Sequence, residues 1–327
     1  MPDGSIIEQS NQLFAQGRVE EGVALLTRAG DGRDVDALMQ LAVIDLTGSH
    51  GVPRNLRRGR EWLRRAVEIG HVDGALMEVA LVANGSGQSH PDWAGALALL
   101  RIAAHGDPVA AEQLALVERM SLDGQGRPAV LPRAEPLSDA PHVVRYPSLL
   151  SPGECARIAA VAGPMLEPSA IVDAGGQLRP HPVRTAMAAV IGPANEDLVI
   201  RAINHRLAAI TGTATEQGEP LSVMRYDISQ QYRMHIDALS GTNNQRIKTA
   251  IIYLNHGYEG GETLFEYGPR IAGQQGDAIV FDNIKSDGSP DPVSRHAGLP
   301  VVRGVKWIAT RWIREASYDP WTYRPGI

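Results

Sequence analysis

The stretch Tyr226–Asp237, YDISQQYRMHID, decides the reading of this chain because it ends in His235-Ile236-Asp237. Successive side chains of a strand point to opposite faces, so this triplet puts an imidazole and a carboxylate on one face, about 7 Å apart along the backbone. One cation can reach both. With His296 from further along the chain the set becomes two neutral nitrogens and one anionic oxygen. Such a set holds a non-haem Fe(II) and leaves coordination positions open for reactants.

The segment from Gly276 to Trp312 supplies the context. Ala278–Phe281 reads as a buried strand, Asp287–Asp291 as a turn, and Val301–Ile313 as a second strand interrupted only by Gly304. Counting by twos puts Val302, Gly304, Lys306, Ile308, Thr310 and Trp312 on one face. If that face lines a barrel interior, an unpaired Lys306 ammonium is costly and tends to lose its proton, a difficulty that a bound carboxylate removes. From the strand alone, a lysine at an edge, pointing to water, is the preferred reading.

From about Ser169 to Glu315 the chain resembles the catalytic domain of prolyl 4-hydroxylase-type dioxygenases. The motifs that carry the resemblance are Tyr226-x5-Tyr232-x2-His235-x-Asp237, Arg246-x2-Thr249-x3-Tyr253-Leu254-Asn255, Gly260-Gly261-Glu262-Thr263-Leu264-Phe265, and His296-Ala-Gly-x-Pro-Val-x2-Gly304-x-Lys306-Trp307. The resemblance implies Fe(II) as metal, 2-oxoglutarate and O2 as co-substrates, and ascorbate as an accessory. It implies His235, Asp237 and His296 as catalytic metal ligands and Lys306 as partner of the distal carboxylate of 2-oxoglutarate. Tyr226 and Thr263 would help to hold the co-substrate, Trp312 would wall the pocket, and Arg246, Tyr232 and Arg184 would face the substrate. The implied reaction is decarboxylation of 2-oxoglutarate to succinate coupled to hydroxylation of an unactivated C–H.

The chain departs from the family pattern at Ser229 and Met234, in the short connection from Asp237 to Arg246, and at Asp282-Asn283. No departure removes a ligand or Lys306; loop differences reshape the substrate pocket on a constant scaffold. His256 reads as a turn residue and His181 as part of a loop over the site. The turn-rich segment Val172–Gln177 is expected to be a cover for the site or an ordinary hairpin.

The first third of the chain differs. Apolar residues recur at helical spacing in short segments ended by Gly30, Gly70 and Gly106, with a repeat near 36 to 38 residues. This resembles Sel-type, tetratricopeptide-like repeats, whose use would be protein contact or self-association; a helical cap on the catalytic domain is the plainer reading. Trp62 is expected in the core. Asp123–Pro141, rich in Pro and Gly, reads as linker, Val143–Tyr146 as a strand, and Ser151-Pro-Gly-Glu154 as a helix start with a reciprocal cap.

The expected architecture is α+β multidomain: helical repeats over 1–122, a linker over 123–142, and a double-stranded β-helix (jelly-roll) domain with flanking helices over 143–327. A 43% hydrophobic content suffices for two cores, and a net charge of −6 argues against a nucleic-acid partner. Cys155 is the single cysteine, so no intrachain disulfide can form. The sequence shows neither a signal-type N-terminus nor a membrane-length apolar run, and a cytoplasmic protein is expected. The leading functional expectation is hydroxylation of a prolyl residue in a peptide or protein. The alternatives are a hydroxylase of a free amino acid or other small molecule, such as a natural-product intermediate, and a repeat-based adaptor with a vestigial oxygenase domain.

Overall fold

A computed structural model describes residues 5–172, 178–180 and 183–322. Contacts divide the chain into two compact units, one built on residues up to 119 together with 193–201, the other on 120–192 and from 202 onward. The first unit contains α1 (Ile6–Ala15), α2 (Val19–Asp31), α3 (Val35–Thr47), α4 (Leu56–Glu68), α5 (Val72–Asn84), α6 (Trp93–Ala103) and α7 (Pro108–Arg119), each packed on the next. Their caps recur at the repeat interval. Asp34, His71 and Asp107 accept the Ala37, Gly74 and Ala110 amides at 2.9, 3.0 and 2.7 Å, and Asn55 and Asp92 do the same for α4 and α6. Each satisfies an orphan donor of a helix start, worth about 1 kcal/mol for the carboxylate and amide caps. Trp62 packs against the Leu26, Leu41 and Ile44 core, with its indole donating to Asp45. Gly30 does not end a helix as expected: it lies in the last turn of α2, where a Cβ would come within 3.0 Å of Leu38 Cδ2. It is small because α3 approaches closely there.

The second unit carries α8 (Pro152–Ala162), all but the first turn of α9 (Leu198–Thr211), and the strands. The described residues form a large antiparallel sheet in the order β1 (Glu135–Asp139), β2 (His142–Tyr146), β13 (Ala278–Asp282), β9 (Arg246–Tyr253), β16 (Lys306–Arg314), β7 (Leu221–Tyr226), β6 (Met187–Ile191), β3 (Glu167–Pro168). A smaller sheet has the order β12 (Arg270–Ile271), β11 (Thr263–Phe265), β14 (His296–Gly298), β8 (Tyr232–His235). Two ribbons add β4 (Ala170–Val172) to β5 (Leu178–Pro180) and β10 (Glu259–Gly260) to β15 (Val301–Arg303). From β7 through β8, β9, β11, β13 and β14 to β16 the chain alternates between large and small sheets. That winding is the double-stranded β-helix expected from the sequence. Phe265 of the small sheet meets Phe281 of the large one edge-on at 5.0 Å, in a core that includes Tyr253, Val301 and Ile308. Burying each such side chain contributes about 1.5–3 kcal/mol.

Local signals hold where they are local. Ser151 accepts the Glu154 amide and Glu154 accepts the Ser151 amide, closing the expected capping box on α8. The stretch read as linker contains β1, which alternation does not reveal because its side chains are mostly exposed; backbone pairing to β2 forms it. The run Val301–Ile313 is two strands in different sheets. Gly304, at φ +78, turns the chain between them, and the face slips by one position: Val301 is buried and Val302 exposed, while Lys306 is buried. A Cβ at Gly304 would sit 3.0 Å from the Gly257 carbonyl. Gly304→Ala is therefore expected to lower unfolding stability by about 1–3 kcal/mol, read from the urea midpoint of the second unit; an unchanged midpoint would refute the strain.

Candidate active site

The strand register builds the site. His296 of β14 pairs directly with His235 at the end of β8, and Asp237 follows two residues later on the same side, with Ile236 turned outward. One ligand atom from each of His235, Asp237 and His296 lies within 4.8 Å of the others. His235 Nδ1 donates to the Arg233 carbonyl at 2.8 Å and His296 Nδ1 to the Ser294 carbonyl at 3.0 Å. Those bonds select the tautomer whose Nε2 carries the lone pair. Each Nε2 faces Asp237, at 3.4 Å from Oδ1 for His235 and 3.8 Å from Oδ2 for His296. Two lone pairs and an anionic oxygen thus converge, and their chemistry fits a divalent cation.

The surroundings are aromatic. Tyr232 stacks on His235 with ring centres 3.5 Å apart, and Phe281 and Phe265 lie 4.7 and 5.5 Å from His296. Burial, reinforced by His235, pushes His296 down to about 4 against the pull of Asp237. Burial alone would raise the Asp237 carboxyl, but the nearby His235, His296 and Arg246 outweigh it and hold the group well below the usual range. The shifts favour a neutral His296 and an ionised Asp237, the states that suit metal binding.

Lys306 pairs with Tyr226 across β16 and β7 and is 2% exposed. Its ammonium donates to the Gly261 carbonyl at 2.5 Å and lies 5.5 and 5.8 Å from the Tyr226 and Tyr253 ring centres. Gly260 and Gly261, at φ +73 and +69, allow this approach: a Cβ on Gly261 would press on Lys306 Cδ at 3.0 Å. Burial pushes the ammonium down to about 8, opposed by Glu262. Tyr253 donates to Thr263 Oγ1 at 2.9 Å, and Tyr226, whose hydroxyl burial pushes far up, completes this end of the cavity.

Ile308, Thr310 and Trp312 continue the wall, as the period of two requires, and Met224 and Ile251 join from β7 and β9. Tyr232 lines the cavity, and Arg184 lies opposite it in an isolated bridge with its guanidinium 5.4 Å over the ring. Arg246, expected to face the substrate, is paired with a buried carboxylate. Glu219, 1% exposed, takes it in two bonds of 2.6 and 2.8 Å, and its guanidinium covers the Trp312 ring at 4.1 Å. It braces a wall and does not line the cavity. His256 lies in the turn after β9 and bonds Gln275; 173–177 and His181 lie outside the described residues. Sequence reasoning assigned no role to Glu219, Thr249 or Asn283, each paired with a residue distant in the chain.

The geometry defines a site of the non-haem Fe(II) class, and comparison with known proteins narrows it. The model of the 2OG-Fe(II) oxygenase superfamily matches residues 221–314. Prolyl 4-hydroxylase 1 of Arabidopsis thaliana is 33% identical over 206 residues, 57% of this chain and 73% of that protein. A viral collagen prolyl hydroxylase from Paramecium Bursaria Chlorella virus-1, solved with 2OG, is 25% identical and aligns with 54% of this chain and 98% of its own at a TM-score of 0.45. A Sel1 repeat protein from Oxalobacter formigenes, 23% identical, aligns with 33% of this chain and 47% of its own at a TM-score of 0.29. The chain belongs to the prolyl 4-hydroxylase family of 2-oxoglutarate- and Fe(II)-dependent oxygenases. Iron and 2-oxoglutarate are the family's cofactor and co-substrate.

Lys306 gives a stability test. Its folded pKa lies near 8 against an ordinary 10.5, so the unfolded chain holds the proton more tightly and stability rises with pH between those values. Lys306→Met should stabilise the ligand-free protein at pH 7 by up to about 3 kcal/mol and abolish that rise. Urea titrations at pH 7 and above pH 10 check this; a destabilised variant would show that the buried charge is fully compensated.

Proposed function

We propose that this protein hydroxylates a prolyl residue of a peptide or protein, with His235 Nε2, Asp237 and His296 Nε2 holding Fe(II) and Lys306 binding the distal carboxylate of 2-oxoglutarate. The observation that carries this reading is the placement of a buried ammonium in the same cavity as the triad. The kinship with prolyl 4-hydroxylases supports the prolyl substrate.

When bound, the iron supplies activation of dioxygen coupled to decarboxylation of 2-oxoglutarate. The protein contributes position and charge. With a divalent cation, the Asp237 carboxylate and a dianionic co-substrate, the Lys306 ammonium brings the site to neutrality. Tyr226 and Thr263 offer hydroxyls beside Lys306, orienting the co-substrate so that its keto acid end meets the triad. Met224, Ile251, Ile308 and Trp312 make the remaining wall apolar, which excludes water from the reacting centre and fixes the approach of a C–H bond.

Succinate release measured with Fe(II), 2-oxoglutarate and proline-containing peptides should depend on peptide, and the product should gain one oxygen by mass spectrometry. Turnover with free amino acids alone would overturn the prolyl-peptide assignment. His235→Ala and Asp237→Ala should fall to background, and Lys306→Ala should weaken 2-oxoglutarate binding by about 2–5 kcal/mol, the cost of losing a buried charge partner.

The dianion binds the protonated lysine, so affinity is full below the free-state value near 8 and is lost as pH rises through it. The 2-oxoglutarate Kd is expected to be about tenfold weaker at pH 9 than at pH 7. Calorimetry on metal-loaded protein without oxygen reads this directly, and equal affinity at the two pH values would remove Lys306 from the role.

A further inference from the structure

Asp237 has a second set of contacts that the metal triad does not explain. Thr249 on β9 donates its hydroxyl to Asp237 Oδ2 at 2.7 Å, and Asn283, just past β13, donates its side-chain amide to Thr249 Oγ1 at 2.8 Å. Both residues are 0% exposed. Asn283 is itself pinned by its backbone, donating to the Ile247 carbonyl and accepting from the Asp291 amide, each at 2.9 Å. Among the described residues its Oδ1 is buried without a hydrogen-bond partner, so the amide donated to Thr249 is what the side chain contributes. A hydroxyl has one proton and an amide nitrogen only donates, so accepting from Asn283 leaves Thr249 donating towards the carboxylate. The relay has one direction.

We propose that Thr249 and Asn283 are positioning residues that make Asp237 a one-oxygen metal ligand. Oδ2, which also faces His296 Nε2 at 3.8 Å, is held by the Thr249 hydroxyl, and Oδ1, 3.4 Å from His235 Nε2, would be the oxygen left to the cation. This rests on the Fe(II)-site reading above and deepens it. A carboxylate free to turn can chelate with both oxygens and occupy a coordination position that the keto acid end of 2-oxoglutarate and dioxygen need between them. The relay keeps that position open, and because Asp237 follows β8, Thr249 lies in β9 and Asn283 follows β13, the fold itself fixes the angle.

Co(II), titrated into the 327-residue chain, is the probe because its absorption spectrum reports coordination number. Thr249→Val should weaken Co(II) binding by about 10–100-fold, the usual effect of removing an outer-shell partner, and should alter the spectrum. Thr249→Ser, which keeps the hydroxyl, should restore both. Asn283→Asp offers an acceptor in place of the donor, draws the Thr249 proton away from Asp237, and should change the spectrum as Thr249→Val does. Wild-type affinity and spectrum in Thr249→Val and Asn283→Asp would overturn the proposal. His235→Ala serves as the separate control: if it too binds like wild type, the triad is not the metal site and the underlying reading fails, whereas its loss beside intact Thr249→Val binding sinks the relay alone.

Discussion

The antiparallel register of β14 against β8 is the constraint on which the site depends. It sets His296 against His235, and the period of two then brings Asp237 in from the same side. A slip of one residue would turn every side chain of the strand to the other face. Bulky contacts oppose such a slip: Phe265 lies opposite His296 in the neighbouring pair, and Phe281 meets the ring from the other sheet. Packing energy in the core thus fixes distances between ligands.

The second consequence is electrostatic. Asp237 and Lys306 are both nearly inaccessible to water, and His296 is held neutral by burial. Taking charges out of water costs several kcal/mol per ion even after relaxation. On the proposed reading a divalent cation would offset that cost for Asp237 and a dianion would offset it for Lys306, and binding them would stabilise the fold by mass action.

What the sequence made legible follows from range. His235, Asp237 and the Lys306–Trp312 face were readable because alternation is a property of one strand, and the Ser151–Glu154 box because its partners are three residues apart. The repeat of helix pairs was visible as a periodicity of apolar segments and glycines. The slip at Gly304 was not, since one residue at positive φ reverses the count without changing the apolar pattern. β1 was hidden because both its faces are largely exposed and only its backbone is paired. Thr249, Asn283 and the Glu219–Arg246 pair were silent for another reason: their meaning lies in partners from other strands, and a polar residue in a strand reads the same whether it faces water or a buried carboxylate. Arg246 is the example: its two bonds to Glu219 come from a residue 27 positions away and leave no local signal.

A crystal structure of the protein with Mn(II) in place of Fe(II) and with 2-oxoglutarate, solved with anomalous data at the manganese edge, tests the central claim most directly. The account predicts one anomalous peak within bonding distance of His235 Nε2, His296 Nε2 and a single oxygen of Asp237, with the distal carboxylate of 2-oxoglutarate against Lys306 Nζ. A peak elsewhere, or a co-substrate that leaves Lys306 uncovered, would contradict it.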